Sequence, residues 1–308
     1  MNSMNKAVFL TGAAGFIGQR IMMALAARGE KVIATDVVSP RIEIPNGVEF
    51  YPADIRDLVR HGPAIARSGS LIHCGGISGP MLFADNPAEL LDINIRGTTQ
   101  LLSLAAAHGM RRFVSLSSVS AYGDTPEGMD IVDEGAPLRA STVYGSSKAA
   151  SDIVIETYAR NFGLSAVTLR LGWVYGPGRV TDAIIQPIVR SAGGEAYVMT
   201  SGKSHRLQFV HIDDVVKAVL AAHDAPAPRQ HSYNINGSDT VLVGEIRDMI
   251  AAQLPGVTAT IGPGPIEGAE THGVMSIEAA RRDLGWAPAI AFEEGLRIYV
   301  EWLRNNRY

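Results

Sequence analysis

Lys6-Ala-Val-Phe-Leu-Thr11 runs directly into Gly12-Ala-Ala-Gly15-Phe16-Ile17-Gly18, and the join decides the fold. The first six residues form a short apolar run of strand character. Residues 16–28 carry Ile17, Ile21 and Leu25 on one helical face. The turn between them is G-x-x-G-x-x-G. Glycines there let the chain reverse tightly and let an anion approach the backbone, since no Cβ intervenes. Free N–H groups at the helix start then bind the anion. The next strand, 31–36, ends on Asp36, eighteen residues after Gly18. An acid at that place accepts from a ribose 2′-hydroxyl and repels a 2′-phosphate. The pattern predicts a dinucleotide site preferring NAD to NADP, with Gly12, Gly15, Phe16, Ile17, Gly18 and Asp36 against the cofactor. Asp54 and Ile55 follow the third strand, 48–52, where an aspartate can reach the adenine.

The alternation continues outward. Strands are expected at 71–73, 112–117 and 165–171, and helices at 87–108 and 143–162. Strand–helix alternation at this spacing implies right-handed crossovers and a doubly wound, parallel α/β sheet. The second half is less regular: helix 180–192, a strand-to-helix unit at 209–222, strand 233–236, helix 243–253, a Gly/Pro-rich stretch at 255–268 and a last helix ending near 304. Residues 1–176 are expected to form the NAD-binding Rossmann domain, with 209–238 returning to it. Residues 177–208 and 239–308 are expected to form a small α/β lobe for substrate.

The chain has 308 residues, of which 46% are hydrophobic and 19% charged, so it has material for a large core and does not read as disordered. Its net charge of −4 has the wrong sign for a general nucleic-acid binder. The single cysteine, Cys74, excludes an internal disulfide and a multi-cysteine zinc site. No apolar run approaches the roughly 18 residues that span a bilayer, and the run 7–10 is shorter than a signal-peptide core of about 7–15 residues. A cytoplasmic protein without membrane or nucleic-acid partners is expected. No metal is expected, because the adjacent His73 and Cys74 point to opposite faces of a strand.

Ser117 and Ser118 end the fifth strand, at the carboxyl edge where open α/β sheets bind ligands. Tyr144 and Lys148 are four apart on a helix and share a face. A free tyrosine ionises near pH 10, about three pH units too high for a base at neutrality. Closing that gap takes roughly 4 kcal/mol, within reach of a lysine ammonium and an oxidised nicotinamide in a shielded site. A serine hydroxyl holding the substrate oxygen would complete a proton-transfer site.

With these pieces in place the sequence resembles an extended short-chain dehydrogenase/reductase, the NAD-dependent epimerase/dehydratase group. The matching segments are 11–18, Asp36, Asp54-Ile55, 73–76, 94–98, 117–123, 144–148, Leu169-Arg170 with 175–177, and 209–214, in family order over nearly the whole chain. The resemblance implies that Ser118 rather than Ser117 is catalytic, with Tyr144 and Lys148, because Ser118 lies four before Tyr122 in S-x-x-x-Y-G. It implies further NAD contacts at His73, Cys74, Gly75, Gly76, Ile77, Asn94 and Gly172. It also implies a homodimer through the helices at 87–108 and 143–162, where Leu90, Leu91, Leu101, Leu102, Ile153 and Ile155 exceed what one sheet face should need. The resemblance makes His211 a packing residue.

Departures narrow the reaction. The family's 4,6-dehydratases carry Asp-Glu after the catalytic hydroxyl residue, whereas Val119-Ser120 stands here. Nucleotide-sugar epimerases place Asn after the sixth strand and Arg four before the histidine of V-H-x-x-D. This chain has Trp173 and Leu207 there, with Arg206 one position off, and no Arg in 267–274. Gly75-Gly-Ile-Ser78 and Arg170-Leu-Gly172 resemble segments of uronate dehydrogenases, in which the loop serine helps hold a sugar acid. The leading expectation is therefore hydride transfer between NAD and a hydroxyl carbon of a small sugar, sugar acid or related compound, with Ser78, Ser118, Trp173 and Arg206 against the substrate. Tyr175 and His205 are further candidates for that pocket. The alternative is a nucleotide-sugar 4-epimerase using bound NAD. A redox sensor holding NAD without turnover would need a broken catalytic set, and Ser118, Tyr144 and Lys148 are all present.

Overall fold

The computed structural model describes residues 6–306 apart from 80, 81 and 84, so the outer bounds of the two expected domains lie outside it. In chain order the elements are β1 (Ala7–Thr11), α1 (Phe16–Ala27), β2 (Val32–Asp36), β3 (Val48–Pro52), α2 (Leu58–Ala66), β4 (Ser68–His73), α3 (Pro87–Leu91), α4 (Thr98–Ala107), β5 (Arg112–Ser118), β6 (Ile131–Val132), α5 (Val143–Phe162), β7 (Ala166–Leu171) and β8 (Trp173–Tyr175). There follow α6 (Ile185–Ser191), β9 (Val198–Met199), β10 (Arg206–His211), α7 (Ile212–Asp224), β11 (Ser232–Ile235), β12 (Thr240–Leu242), α8 (Val243–Gln253), β13 (Thr260–Ile261), β14 (Val274–Met275), α9 (Glu278–Leu284) and α10 (Phe292–Asn305).

Seven strands make one sheet in the order β11-β7-β5-β4-β1-β2-β3, and every pairing in it is parallel. The order reverses at β1, placing the glycine turn at the switch point where such sheets bind ligands. The strands are almost wholly apolar because helices cover both faces. One core packs Ile21, Met22 and Leu25 of α1 and Val215 and Val219 of α7 onto the sheet, and the other packs Leu101 and Leu102 of α4 and Ile155 of α5. A third core, built on Tyr175, Phe209, Ile246 and Leu296, fills the C-terminal half.

Three local features differ from expectation. The helix at 87–108 is interrupted by a π-helical stretch, Asp92–Gly97, which adds a residue to the turn and which apolar periodicity does not register. Although α7 and β11 return to the main sheet, β10 joins β8 and β12 in a separate three-stranded sheet. Helix α9 was not foreseen. The apolar excess expected to drive dimerisation is also corrected: Leu90, Leu101, Leu102 and Ile155 are at most 2% exposed within the chain itself, while Ile153 is 57% exposed.

Candidate active site

The glycine turn is built so that nothing but backbone can occupy it. Gly12 has φ +70°, and a Cβ there would lie 2.5 Å from the Cys74 carbonyl carbon. A Cβ on Gly18 would lie 1.9 Å from the Gly12 oxygen. Gly15 caps α1 without any side-chain bond, so the first-turn N–H groups are left for an anion. Asp36 faces this loop: its Oδ2 accepts from Ala14 N at 2.9 Å and its Oδ1 from Val37 N at 2.7 Å. Phe16 packs near Gly178, and Arg20 donates to Pro177 O at 2.9 Å, so the segment after β8 lies across the start of α1. A dinucleotide phosphate fits this cradle.

The edge of β4 is held by a directional chain of hydrogen bonds. The Thr98 hydroxyl donates to Asn94 O at 2.6 Å, so toward His73 it accepts, which fixes the His73 proton on Nε2 at 2.9 Å. His73 Nδ1 is then an acceptor for the Thr11 hydroxyl at 2.7 Å, and Thr11 Oγ1 accepts from Gly75 N at 3.3 Å. Burial, and then the nearby Lys148 charge, push the His73 pKa down to about 3, so the ring is neutral. Both ring nitrogens are engaged by the protein. Asn94 is a second clamp: its Oδ1 accepts from Ile77 N at 2.8 Å, and its Nδ2 donates to Ile77 O at 3.1 Å and Ser147 Oγ at 2.9 Å. Both residues are expected against NAD; in the structure their side chains also fix the loop 74–77. Gly76 is shaped by the same clamp, since its φ is +134° and a Cβ would meet Asn94 Oδ1 at 2.7 Å.

Asp54 is likewise occupied. Its carboxylate takes Arg56 at 2.6 Å, and Arg56 also pairs with Glu89 and Asp92, joining the turn after β3 to α3 and the π-helical stretch. Ile55 is buried, and a Cβ on Gly97 would lie 2.6 Å from its Cδ1. The Cys74 thiol is pushed well above its ordinary pKa by burial.

Ser118, Tyr144 and Lys148 gather at the carboxyl end of β5 and the first turns of α5. Strand alternation buries Ser117 and leaves Ser118 at the edge, where its Oγ accepts from Ser120 N at 3.2 Å. Thr142 caps α5 by accepting from Gly145 N, which fixes the helix start at Val143. Tyr144 is 7% exposed. Lys148 Nζ donates to Leu116 O at 3.1 Å and lies 5.8 Å from the Tyr144 ring centroid. Deeper along the helix, buried Asp152 pairs with Arg170 of β7 at 2.8 Å. Arg170 also donates to the Tyr122 hydroxyl, which donates to Asn234 Oδ1, both at 2.8 Å. Arg170 thus ties α5 to the sheet and to the segment after Ser118.

Beside this edge lies a shallow cleft lined by Val119, Trp173, Arg206, Gln208, Asn236 and His272 among others. Trp173 and Arg206 are where the substrate was expected. Ser78 is exposed and does not line the cleft. Tyr175 and His205 do not line it either: Tyr175 is packed among Phe209, His211, Phe292 and Tyr299, and His205 is buried. His211 caps α7, accepting from Asp213 N at 3.3 Å. Asn236 and His272 were not foreseen. Asn236 sits just past a strand that the sequence did reveal, so the carboxyl-edge rule could have found it; nothing local marks His272.

The family model for the NAD dependent epimerase/dehydratase family matches residues 8–236. A putative UDP-glucose 4-epimerase of Methanocaldococcus jannaschii is 28% identical over 306 residues, covering 97% of this chain and 99% of that protein. The UDP-glucose 4-epimerase of Thermotoga maritima, solved with UDP-glucose, superposes with a TM-score of 0.87 at 25% identity, covering 97% of this chain and 99% of that one. MoeE5, solved with UDP-glucuronic acid and NAD, superposes with a TM-score of 0.86 at 26% identity and the same coverage. With the glycine cradle, the parallel sheet and the serine, tyrosine and lysine at its edge, the match over most of the chain shows that this protein belongs to the NAD-dependent epimerase/dehydratase family of enzymes.

Proposed function

We propose that the chain is a nucleotide-sugar 4-epimerase using bound NAD. The small free sugar, the leading expectation from sequence, is the less well supported of the two substrates. One observation carries the change: Arg206, one position off the expected arginine, lines the cleft, and its guanidinium makes no hydrogen bond or ion pair among the described residues. A free cation beside a catalytic edge suits a phosphate. The relatives that cover the whole chain point the same way.

Bound NAD supplies a hydride acceptor that can return the hydride it has taken. The chain does the rest. Gly12, Gly15 and Gly18 admit the pyrophosphate, and Asp36 meets the adenine ribose. Ser118 holds the reacting oxygen while Tyr144 takes its proton and later gives it back. Lys148, fixed by the Leu116 carbonyl, supplies the positive charge that favours the phenolate. Val119 and Ser120 carry no acid or base, so elimination of water has no residue to perform it there.

The test uses NAD-loaded protein with UDP-glucose, UDP-galactose or UDP-glucuronic acid, reading the C4 epimers by NMR. Interconversion without net NADH is expected. NADH accumulating with a free sugar or uronic acid, and no turnover of the nucleotide sugars, would restore the dehydrogenase reading. We also propose a homodimer through α4 and α5, supported by the family and, of the residues first expected, by exposed Ile153 rather than by buried Leu90, Leu101, Leu102 and Ile155; light scattering should give about twice 32.8 kDa. The family and the lone Cys74 support the reducing cytoplasm as its place of work.

A further inference from the structure

Asn236 is fully buried, yet among the described residues neither its Oδ1 nor its Nδ2 has a hydrogen-bond partner. Orphaned buried amides are rare and cost about 1–3 kcal/mol each. The neighbouring polar side chain behaves differently. Gln208 lines the same cleft, but its Nε2 donates to Gly237 O at 2.7 Å and its Oε1 accepts from Met275 N at 2.9 Å. Its amide is spent on holding the cleft wall. His272, also on the cleft, has a buried Nε2 with no hydrogen bond among the described residues and the Glu270 carboxylate 3.9 Å away, and burial holds its imidazole below the ordinary pKa and so neutral.

The position of Asn236 is set by the sheet. Ser118 pairs with Leu171, and Leu171 pairs with Ile235, so these three residues stand in one row across β5, β7 and β11. Two strand spacings separate Ser118 from Ile235, roughly 10 Å, and Asn236 is the next residue along the carboxyl edge. Its amide also presses on Gly172, where a Cβ would lie 1.9 Å from Oδ1, so a glycine is required at 172 for the amide to sit there. Gly172 precedes Trp173, the position at which nucleotide-sugar epimerases place the asparagine that supports the diphosphate.

Resting on the nucleotide-sugar reading, we propose that Asn236 is a specificity-determining residue of this cleft. Its Nδ2 donates to an oxygen of the sugar-linked diphosphate, whose charge Arg206 neutralises. The amide absent at 173 is supplied from the next strand, and Trp173 is free to act as an apolar wall. The spacing fits, because the diphosphate must lie across the sugar ring from the oxygen held by Ser118. Leaving the amide unpaired in the free protein lowers stability and reserves the donor for ligand.

The probe is UDP, titrated by calorimetry into NAD-loaded protein, for the natural chain and for Asn236→Leu, Asn236→Asp and Arg206→Ala. Asn236→Leu removes both polar atoms and keeps the branched shape, with two bulkier methyls in place of the amide oxygen and nitrogen. It should weaken UDP roughly tenfold to a hundredfold, the range for a hydrogen bond to a charged group, while the melting temperature holds or rises. A merely structural amide would lower the melting temperature and leave UDP affinity alone. Asn236→Asp keeps the shape, sets a carboxylate against the phosphate, and should weaken UDP further; it carries the test if the leucine variant does not fold. UDP bound equally by the natural chain and both Asn236 variants, but weakened by Arg206→Ala, would overturn the Asn236 assignment alone. No UDP binding by the natural chain would overturn the nucleotide-sugar reading beneath it.

Discussion

Acid should loosen this protein through His73, and the structure sets the size of the effect. In the folded chain the ring titrates near pH 3, against 6.5 for a free histidine. The unfolded chain therefore binds more protons at every pH between those values, and stability falls as pH falls through that window. Above 6.5 the contribution is complete; by pH 5 the unfolded chain has gained about 1.5 pH units of protonation free energy that the folded chain has not. At 1.36 kcal/mol per unit this is about 2 kcal/mol. The cause is concrete. A second ring proton would sit on Nδ1, which now accepts from Thr11, and would place a charge in a wholly buried pocket near Lys148. His61, His205, His211, His223 and His272 are shifted the same way by burial, so the whole protein will lose more than His73 alone explains. Replacing His73 by Gln isolates its share. The variant will be less stable at pH 7, but its deficit should shrink by about 2 kcal/mol at pH 5. Urea unfolding of both proteins from pH 7 to pH 5 measures this. A deficit that stays constant across the range would refute the neutral, doubly bonded ring.

Other outcomes test the cofactor and catalytic assignments. NAD should bind at least several-fold more tightly than NADP by fluorescence quenching, and Asp36→Ala should narrow that ratio by about tenfold; equal affinities in the natural protein would sink the role of Asp36. Tyr144→Phe should lower kcat by about a hundredfold or more with NAD affinity within about twofold, and a variant of near-normal rate would remove Tyr144 from the chemistry. Gly18→Ala drives a Cβ into the Gly12 carbonyl and should destabilise by about 1–3 kcal/mol as well as weaken NAD; an unchanged melting temperature would mean the loop has room that its geometry denies.

The cofactor half was legible because its constraints fall on backbone. At Gly12 and Gly18 the forbidden Cβ would strike main-chain atoms, which cannot rotate away, so the sequence must spell glycine. Asp36, Ser118 and Tyr144 stand at strand and helix ends that apolar periodicity locates. Side-chain orientation was less legible. His73 and Asn94 are expected beside NAD, and their side chains bond Thr11, Thr98, Ile77 and Ser147, which spacing does not reveal. The π-helical stretch turns Asn94 to that task, and no spacing rule announces it. Leu101, Leu102 and Ile155 were read as surplus because the sequence does not show how much of a helix its own sheet will cover.

The cleft was hidden for a different reason. Its walls come from β8, β10, β12 and the ends of β11 and β14, strands too short to carry a period, and from residues such as Arg206, Asn236 and His272 that are remote in the chain. Packing alone does not dictate their identities: Arg206 is exposed, and Asn236 and His272 keep buried polar atoms unbonded among the described residues. Motifs at the sheet edge can therefore stay fixed while these positions change. The proposed reading places the chemistry in the first set and substrate choice in the second. That separation explains how Trp173 and Leu207 could read as the loss of diphosphate contacts. The same contacts can be made by Arg206, one residue along β10, and by Asn236, one strand away, without altering any motif that identifies the family.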